Sequence, residues 1–186
     1  MKEAEVEDAS GIVWQDEMRV GLIGQVRRVW APKGEKIRQT VEVIYEWVYL
    51  NLAVNGVKGR LHWDWKPNMK QESVIEFVKL LKKEDVDGIV WDGAPGHRAK
   101  SVKTIGVPLI QQPAYSPELN PAERVFQEIR KEVEGKVYGK LEKKQEAVER
   151  VLEQLTADPE KLRSLTGWDW IRHTFENYSL ENTAFY

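Results

Sequence analysis

The chain has 186 residues, of which 41% are hydrophobic and 31% are charged. This length suits one domain with its own core, and the composition excludes an intrinsically disordered protein. No apolar run approaches the roughly 20 residues of a membrane-spanning helix. The absence of cysteine excludes disulfides, Cys-ligated zinc and thiol nucleophiles. The formal net charge of −2 gives no overall basic footprint for nucleic acid. Two bound divalent ions, adding four charges, would change −2 to +2.

The first third of the chain predicts an antiparallel meander. Residues 1–10 are acidic and lack the apolar segment of a secretory signal, which indicates a flexible leader on a cytoplasmic protein. β-Branched and aromatic residues then alternate with polar ones, and an Asn-Gly pair marks a hairpin turn. The predicted strands are residues 11–22, 26–30, 40–54 and 59–65.

The rest of the chain changes to helical periodicity interrupted by short apolar runs. Helices are predicted over residues 70–83, 98–104, 121–134, 141–155 and 159–167, and strands over residues 86–91 and 107–112. Asn120 followed by Pro121 matches a helix N-cap with proline at the first helical position. The order predicts a mixed α/β fold with antiparallel and parallel strands.

Three acidic residues are distinguished by their local context. Asp16 lies within an apolar strand, Asp92 ends one, and Glu123 lies in the first turn of a helix. A carboxylate in an apolar strand is costly unless it is paired or bound to a metal. Mg²⁺ and Mn²⁺ prefer carboxylate and water oxygens. The alternatives are that Glu123 complements the helix dipole, that Asp92 is an ordinary turn residue, and that Asp16 lies at an exposed strand end.

Three segments carry a family resemblance: WQDEMRVGL, IVWDGAPGHRAK and QQPAYSPELNPAERVFQEIRK. They resemble the catalytic blocks of DDE transposases of the mariner superfamily, in its bacterial insertion-sequence branch, over about residues 12–131. The resemblance implies an RNase H-like, retroviral-integrase-like α/β fold with three antiparallel strands, further parallel strands and flanking helices. It would occupy residues 11–186, with C-terminal helices over about residues 141–178.

The same resemblance implies a cut-and-paste DNA transposase. Asp16, Asp92 and Glu123 match the family's three acids and would hold two Mg²⁺ or Mn²⁺ ions. DNA would be the substrate, as transposon ends and as target, and a homodimer would act on it, associated with the bacterial nucleoid. The family's N-terminal helix-turn-helix domain, which recognises the transposon ends, is not expected within this chain.

Several further residues are candidates for supporting roles. The candidates for active-site support are Glu17, His97 and Asn120. The candidates for contacting DNA are Arg19, Lys33, Arg98, Lys100, Lys103 and Tyr115. Basic side chains would contact phosphates, and Tyr115 and Trp30 would stack on unpaired bases. The alternatives are packing within turns and loops, or an ordinary solvated surface.

Other functions remain open from the sequence. The same three carboxylates would serve an RNase H-like nuclease that only hydrolyses, and a transposase-derived DNA-binding or interaction module would need no catalysis. A zinc hydrolase is a remote alternative, because the three histidines, His62, His97 and His173, are scattered and show no ligand spacing.

Overall fold

The computed structural model describes residues 9–24, 30–92 and 104–173. Within these residues five strands form one mixed sheet: β1 (Ile12–Gly21), β2 (Trp47–Asn55), β3 (Arg60–Lys66), β4 (Gly88–Trp91) and β5 (Leu109–Gln111). The sheet is accompanied by the helices α1 (Gln71–Lys83), α2 (Ala122–Val133), α3 (Leu141–Ala157) and α4 (Pro159–Thr166), and residues 169–173 are helical as well. None of these helices is long and apolar enough to cross a membrane.

The sheet has the strand order β3-β2-β1-β4-β5. The first three strands are antiparallel, while β4 pairs with β1, and β5 with β4, in parallel. The predicted meander followed by parallel strands is therefore confirmed. Parallel neighbours need a crossover, and α1 supplies it between β3 and β4.

The two faces of the sheet are covered by different helices. Alternating β1 residues such as Trp14 and Met18 pack with α2, α3 and α4, whereas Val13, on the opposite face, packs with α1. Val125, Ile129 and Val133 of α2 are all buried, as their helical spacing predicts. Because α2 carries Glu123 in its first turn, this packing fixes the candidate acid against the β1 face.

The register of the parallel strands has a direct consequence for the site. Trp14 of β1 pairs with Val90 of β4, and Val90 pairs with Ile110 of β5. Two residues further along each chain lie Asp16, Asp92 and Gln112. Because side chains alternate between the faces, residues two apart share a face. The three polar residues therefore lie level with one another, on the α2 side of the sheet.

The start of β2 is the strand boundary that differs most from its prediction. β2 begins at Trp47, not at residue 40. Residues 40–46 still follow the end of β1, since Leu22 and Gly24 donate backbone hydrogen bonds to the carbonyls of Glu46 and Glu42. Val43 and Tyr45 are nevertheless exposed, so the apolar alternation of this segment does not reflect a buried face.

The other elements begin and end within two residues of their predicted bounds or lie outside the described residues. The predicted strand 26–30 and short helix 98–104 fall almost wholly outside the described residues, as does most of the expected leader, 1–10. After α4, Trp168 and Ile171 pack on the α2-side core, and the Trp170 ring lies edge-on to that of Trp14. The division into a leader and one domain stays a prediction.

Candidate active site

The three predicted acids line one cavity of about 480 Å³. It opens at the carboxyl ends of β4 and β5, and the loop between β5 and α2 forms much of its wall. In parallel α/β sheets, ligands bind at this edge of the sheet. Asp16, Asp92 and Glu123 are brought there from β1, from the end of β4 and from the start of α2.

Asp16 is the most strongly perturbed of the three acids. Its Oδ1 accepts a hydrogen bond from the Glu17 backbone N–H at 2.8 Å, and its Oδ2 accepts one from Asn120 Nδ2 at 3.2 Å. The pKa of Asp16 is raised to about 7, chiefly by burial and also by the negative charges of Glu17, Glu123 and Asp92, against the opposing effect of the backbone hydrogen bond. An electrostatic environment of this kind favours a bound cation.

The other two acids differ from Asp16 in their surroundings. Asp92 lies one residue past β4 and is exposed. Glu123 is partly exposed, and its Oε2 accepts a hydrogen bond from Arg130 Nη1 at 3.3 Å. The Arg130 guanidinium also lies over the Phe126 ring, 5.8 Å from the ring centroid. Arg130 thus offsets part of the negative charge on the α2 side of the cavity.

Asn120 joins the start of α2 to β1. Its side chain is buried, with 2% of the residue exposed. Its Oδ1 accepts a hydrogen bond from the Ala122 N–H at 3.0 Å, which satisfies one of the free N–H groups of the first turn. Its Nδ2 donates to Asp16 Oδ2 and, at 3.3 Å, to the Gln15 carbonyl. The helix begins at Ala122 with Pro121 at the N-cap position, one residue later than predicted, although Asn120 still supplies the hydrogen bond to its first N–H. The same amide orients a site carboxylate.

The donor chemistry of the cavity fits a hard divalent cation. Three carboxylates and the amides of Gln111 and Gln112 offer oxygen ligands, which Mg²⁺ and Mn²⁺ prefer. Gln112 Oε1 is buried and accepts no hydrogen bond from any described residue. Among the described residues, no group of three His, Asp or Glu side chains is arranged to hold one ion. Asp16 and Glu123 are instead hydrogen-bonded to Asn120 and Arg130.

The remaining predicted residues are distributed over and around the sheet. Glu17 and Arg19 alternate onto the face opposite Asp16, and the Arg19 guanidinium lies 5.7 Å from the Trp47 ring centroid. Lys33 is exposed in a turn. Neither Arg19 nor Lys33 lines the acidic cavity. His97, Arg98, Lys100 and Lys103 lie outside the described residues.

Tyr115 lies at the rim of the acidic cavity. It is fully exposed and has a φ of 58°. A non-glycine residue in this left-handed region is strained, and such strain is concentrated at functional loops. Trp30 is equally exposed, so packing within a loop, the alternative for both aromatic residues, is wrong.

Sequence reasoning missed Gln111 and Gln112. Both line the cavity beside the acids. A signal for them exists, because they follow the apolar β5 run just as Asp92 follows the β4 run. Polar residues at the ends of adjacent parallel strands meet at one edge of the sheet.

Comparison with known proteins identifies the family. Residues 11–144 match the family described as DDE superfamily endonuclease. The chain belongs to this family. The expectation of an endonuclease is therefore confirmed at the level of the family. No curated protein matches this DDE endonuclease by sequence.

Solved structures agree on the fold of this DDE endonuclease. The Mos1 strand transfer complex matches with a TM-score of 0.57 and 16% identity, over 87% of this chain and 56% of that chain. The mariner Mos1 paired end complex with Mg matches with a TM-score of 0.57 and 17% identity, over 84% and 56%. The paired end complex with Mn gives 0.55 and 17%, over 87% and 57%. The fold is RNase H-like, and the chain spans little more than half the length of these relatives.

Proposed function

We propose that this chain is the catalytic domain of a cut-and-paste DNA transposase. The observation that carries the proposal is the cavity shared by Asp16, Asp92 and Glu123. The sequence resemblance assigns these three acids to the DDE motif. The raised pKa of Asp16 supports it, because the other two acids contribute to that shift and therefore lie within electrostatic reach. The Mos1 complexes with Mg and Mn support the choice of cation.

The proposed roles of the acids follow from their places in the cavity. Asp92, level with Asp16 and exposed to the cavity, would hold divalent ions together with Asp16 and Glu123. When bound, two such ions activate the attacking oxygen and stabilise the leaving oxygen of a phosphodiester. Asn120 holds Asp16 in orientation, and Arg130 restrains Glu123.

The proposed reaction is an in-line phosphodiester transfer. Water attacks the phosphorus at a transposon end, the P–O3′ bond breaks, and the DNA 3′-oxygen leaves as a hydroxyl. That 3′-hydroxyl then attacks a target phosphodiester, and the target 3′-oxygen leaves. The chain contributes positioning and charge neutralisation, and no covalent protein intermediate is required.

The proposal also specifies partners and place. The substrate is DNA, both at the transposon end and at the target. A homodimer pairs two ends, and a helix-turn-helix domain outside these 186 residues recognises their sequence. Exposed Lys33 and Tyr115 are candidate DNA contacts. The protein acts in the bacterial cytoplasm, on nucleoid DNA.

A strand-transfer assay tests this function. Supercoiled plasmid and short labelled duplexes with free 3′-hydroxyl ends are incubated with the chain and Mn²⁺. We expect joined products, and we expect Asp92→Asn to reduce them more than about 100-fold, because even residues outside the ligand shell typically contribute 10–100-fold. Asp85→Asn is the matched control, since Asp85 is exposed in the turn after α1.

The outcomes separate the candidate functions. Plasmid nicking without joining would identify a nuclease that only hydrolyses. Equal activity of Asp92→Asn and the wild type would show that the cavity is not the reaction centre. Loss of activity in Asp85→Asn to the same extent would point to a general effect on the fold.

A further inference from the structure

Gln112 occupies the third position in a row of polar residues across the sheet. The pairing of Trp14 with Val90, and of Val90 with Ile110, places Asp16, Asp92 and Gln112 at one level and on one face. The Gln112 N–H continues this register by donating to the Trp91 carbonyl at 2.9 Å. Adjacent strands lie about 4.8 Å apart, so Gln112 is the next-strand neighbour of the Asp92 position.

The orientation of the Gln112 amide is fixed by its nitrogen. Nε2 donates to the Ser116 carbonyl at 2.6 Å, and an oxygen in that position would repel the carbonyl. Oε1 is therefore on the other side of the amide. It is buried, and it accepts no hydrogen bond from any described residue.

A buried oxygen in this state needs an explanation. Leaving a buried acceptor unsatisfied costs roughly 1–3 kcal/mol, and unpaired buried acceptors are uncommon in folded proteins. Gln112 is 8% exposed and lines the same cavity as the three acids. The adjacent loop therefore fixes an amide oxygen without supplying a donor for it.

We infer that Gln112 Oε1 is a neutral oxygen donor in the coordination shell of the divalent ion at Asp16 and Asp92, an inference that rests on the proposed function. Cations of this class accept carbonyl oxygens together with carboxylates. A neutral ligand completes the shell without adding charge to a cavity where like charges already raise the pKa of Asp16. Gln112 thereby increases affinity for the ion.

Gln15 offers a matched control within the same sheet. It is also buried, at 2% exposed, and its Oε1 likewise accepts no hydrogen bond from any described residue. It precedes Asp16 by one residue, so its side chain alternates onto the opposite face, and it does not line the cavity. A substitution there removes a buried amide side chain that does not line the cavity.

The test is Mn²⁺ binding to the full chain without DNA, measured from the electron paramagnetic resonance signal of free Mn²⁺. We expect Gln112→Leu to weaken the Kd about tenfold or more, and Gln15→Leu to leave it within about twofold. Gln112→Asn, which keeps the polarity but withdraws the oxygen by one methylene, weakens binding as well. If circular dichroism shows that Gln112→Leu does not fold, Mn²⁺ binding by Gln112→Asn is the test of the inference.

The outcomes distinguish the inference about Gln112 from the proposed function. If Gln112→Leu and Gln112→Asn bind Mn²⁺ as tightly as the wild type while Asp92→Asn does not, the inference is wrong and the proposed function stands. An equal loss in Gln15→Leu also overturns the inference. If Asp92→Asn too retains wild-type affinity, the proposed function itself fails.

Discussion

At the scale of single residues, Asp16 links the stability of the metal-free chain to pH. Its pKa is about 7 in the fold against an ordinary value of 3.8. The folded chain therefore binds this proton more tightly than the unfolded chain. The resulting stabilisation is fully present below about pH 4 and is lost as the pH rises through about 7.

A substitution isolates this linkage. In metal-free buffer we expect the free energy of unfolding to fall by roughly 2–3 kcal/mol between pH 5 and pH 8 through Asp16 alone. Asp16→Asn removes this fall, because the amide does not titrate. Urea unfolding of both proteins at the two pH values measures the difference. Asp85→Asn, at an exposed position, should reproduce the wild-type fall, and an unchanged fall in Asp16→Asn would contradict the prediction.

At the scale of elements, the Asn120 side chain both caps the start of α2 and orients a site carboxylate. Asn120 Oδ1 satisfies the Ala122 N–H, and Asn120 Nδ2 holds Asp16. Helix formation and site geometry are therefore coupled at this junction. A residue that caps the helix but does not reach β1 would separate them.

Two substitutions make this separation. Asn120→Ser keeps a side-chain oxygen for the helix N–H, whereas Asn120→Ala removes both contacts and should cost about 1–2 kcal/mol more than Asn120→Ser in unfolding. Both should reduce strand transfer by about 10–100-fold, since neither orients Asp16. Thermal unfolding and the strand-transfer assay give the two readouts. Wild-type activity in Asn120→Ser would show that the contact with Asp16 is dispensable.

The elements differ in how well the sequence specifies them. The helices are predictable because each buries a stripe at helical spacing, as Val125, Ile129 and Val133 do. The start of β2 is not, because residues 40–46 have the composition of a strand while Val43 and Tyr45 are exposed. Composition reports β-propensity, and only the tertiary arrangement decides whether a face is buried.

At the scale of the whole molecule, three acidic side chains from distant parts of the chain line one cavity, and a cation bound there would stabilise the fold. A ligand that binds only the folded chain stabilises it by mass action. At a Mn²⁺ concentration about 100 times the Kd, the gain is about 2.7 kcal/mol, or roughly 5–10 °C in Tm for a chain of this size. This stabilisation requires all three acids, which come from β1, the end of β4 and the start of α2.

Differential scanning fluorimetry with and without Mn²⁺ measures this gain. We expect the increase in Tm in the wild type and in Asp85→Asn, and we expect its absence in Asp92→Asn, which lacks one of the three proposed ligands. An equal increase in all three proteins would place the bound ion elsewhere on the chain.

The site was predictable only in part, because its residues come from distant parts of the chain. Local context distinguishes Asp16, Asp92 and Glu123, but only the resemblance joined them, since 76 and 31 positions separate them in the chain. Gln112 was not predicted, because its importance comes from the register of β4 with β5. A polar residue after an apolar run is visible in the sequence, but which residue it meets on the next strand is decided by the whole sheet.

The pairing of β1 with β4 has a further consequence, which concerns insertions and deletions. From Trp14 to Asp16 and from Val90 to Asp92 the count is even, and this parity places both carboxylates on one side of the sheet. One residue inserted between Val90 and Asp92 would keep every acid and every apolar residue, yet turn Asp92 toward α1. Related chains can therefore differ in many side chains here. An insertion or deletion of one residue between Val90 and Asp92 would instead move a site carboxylate to the other face of the sheet.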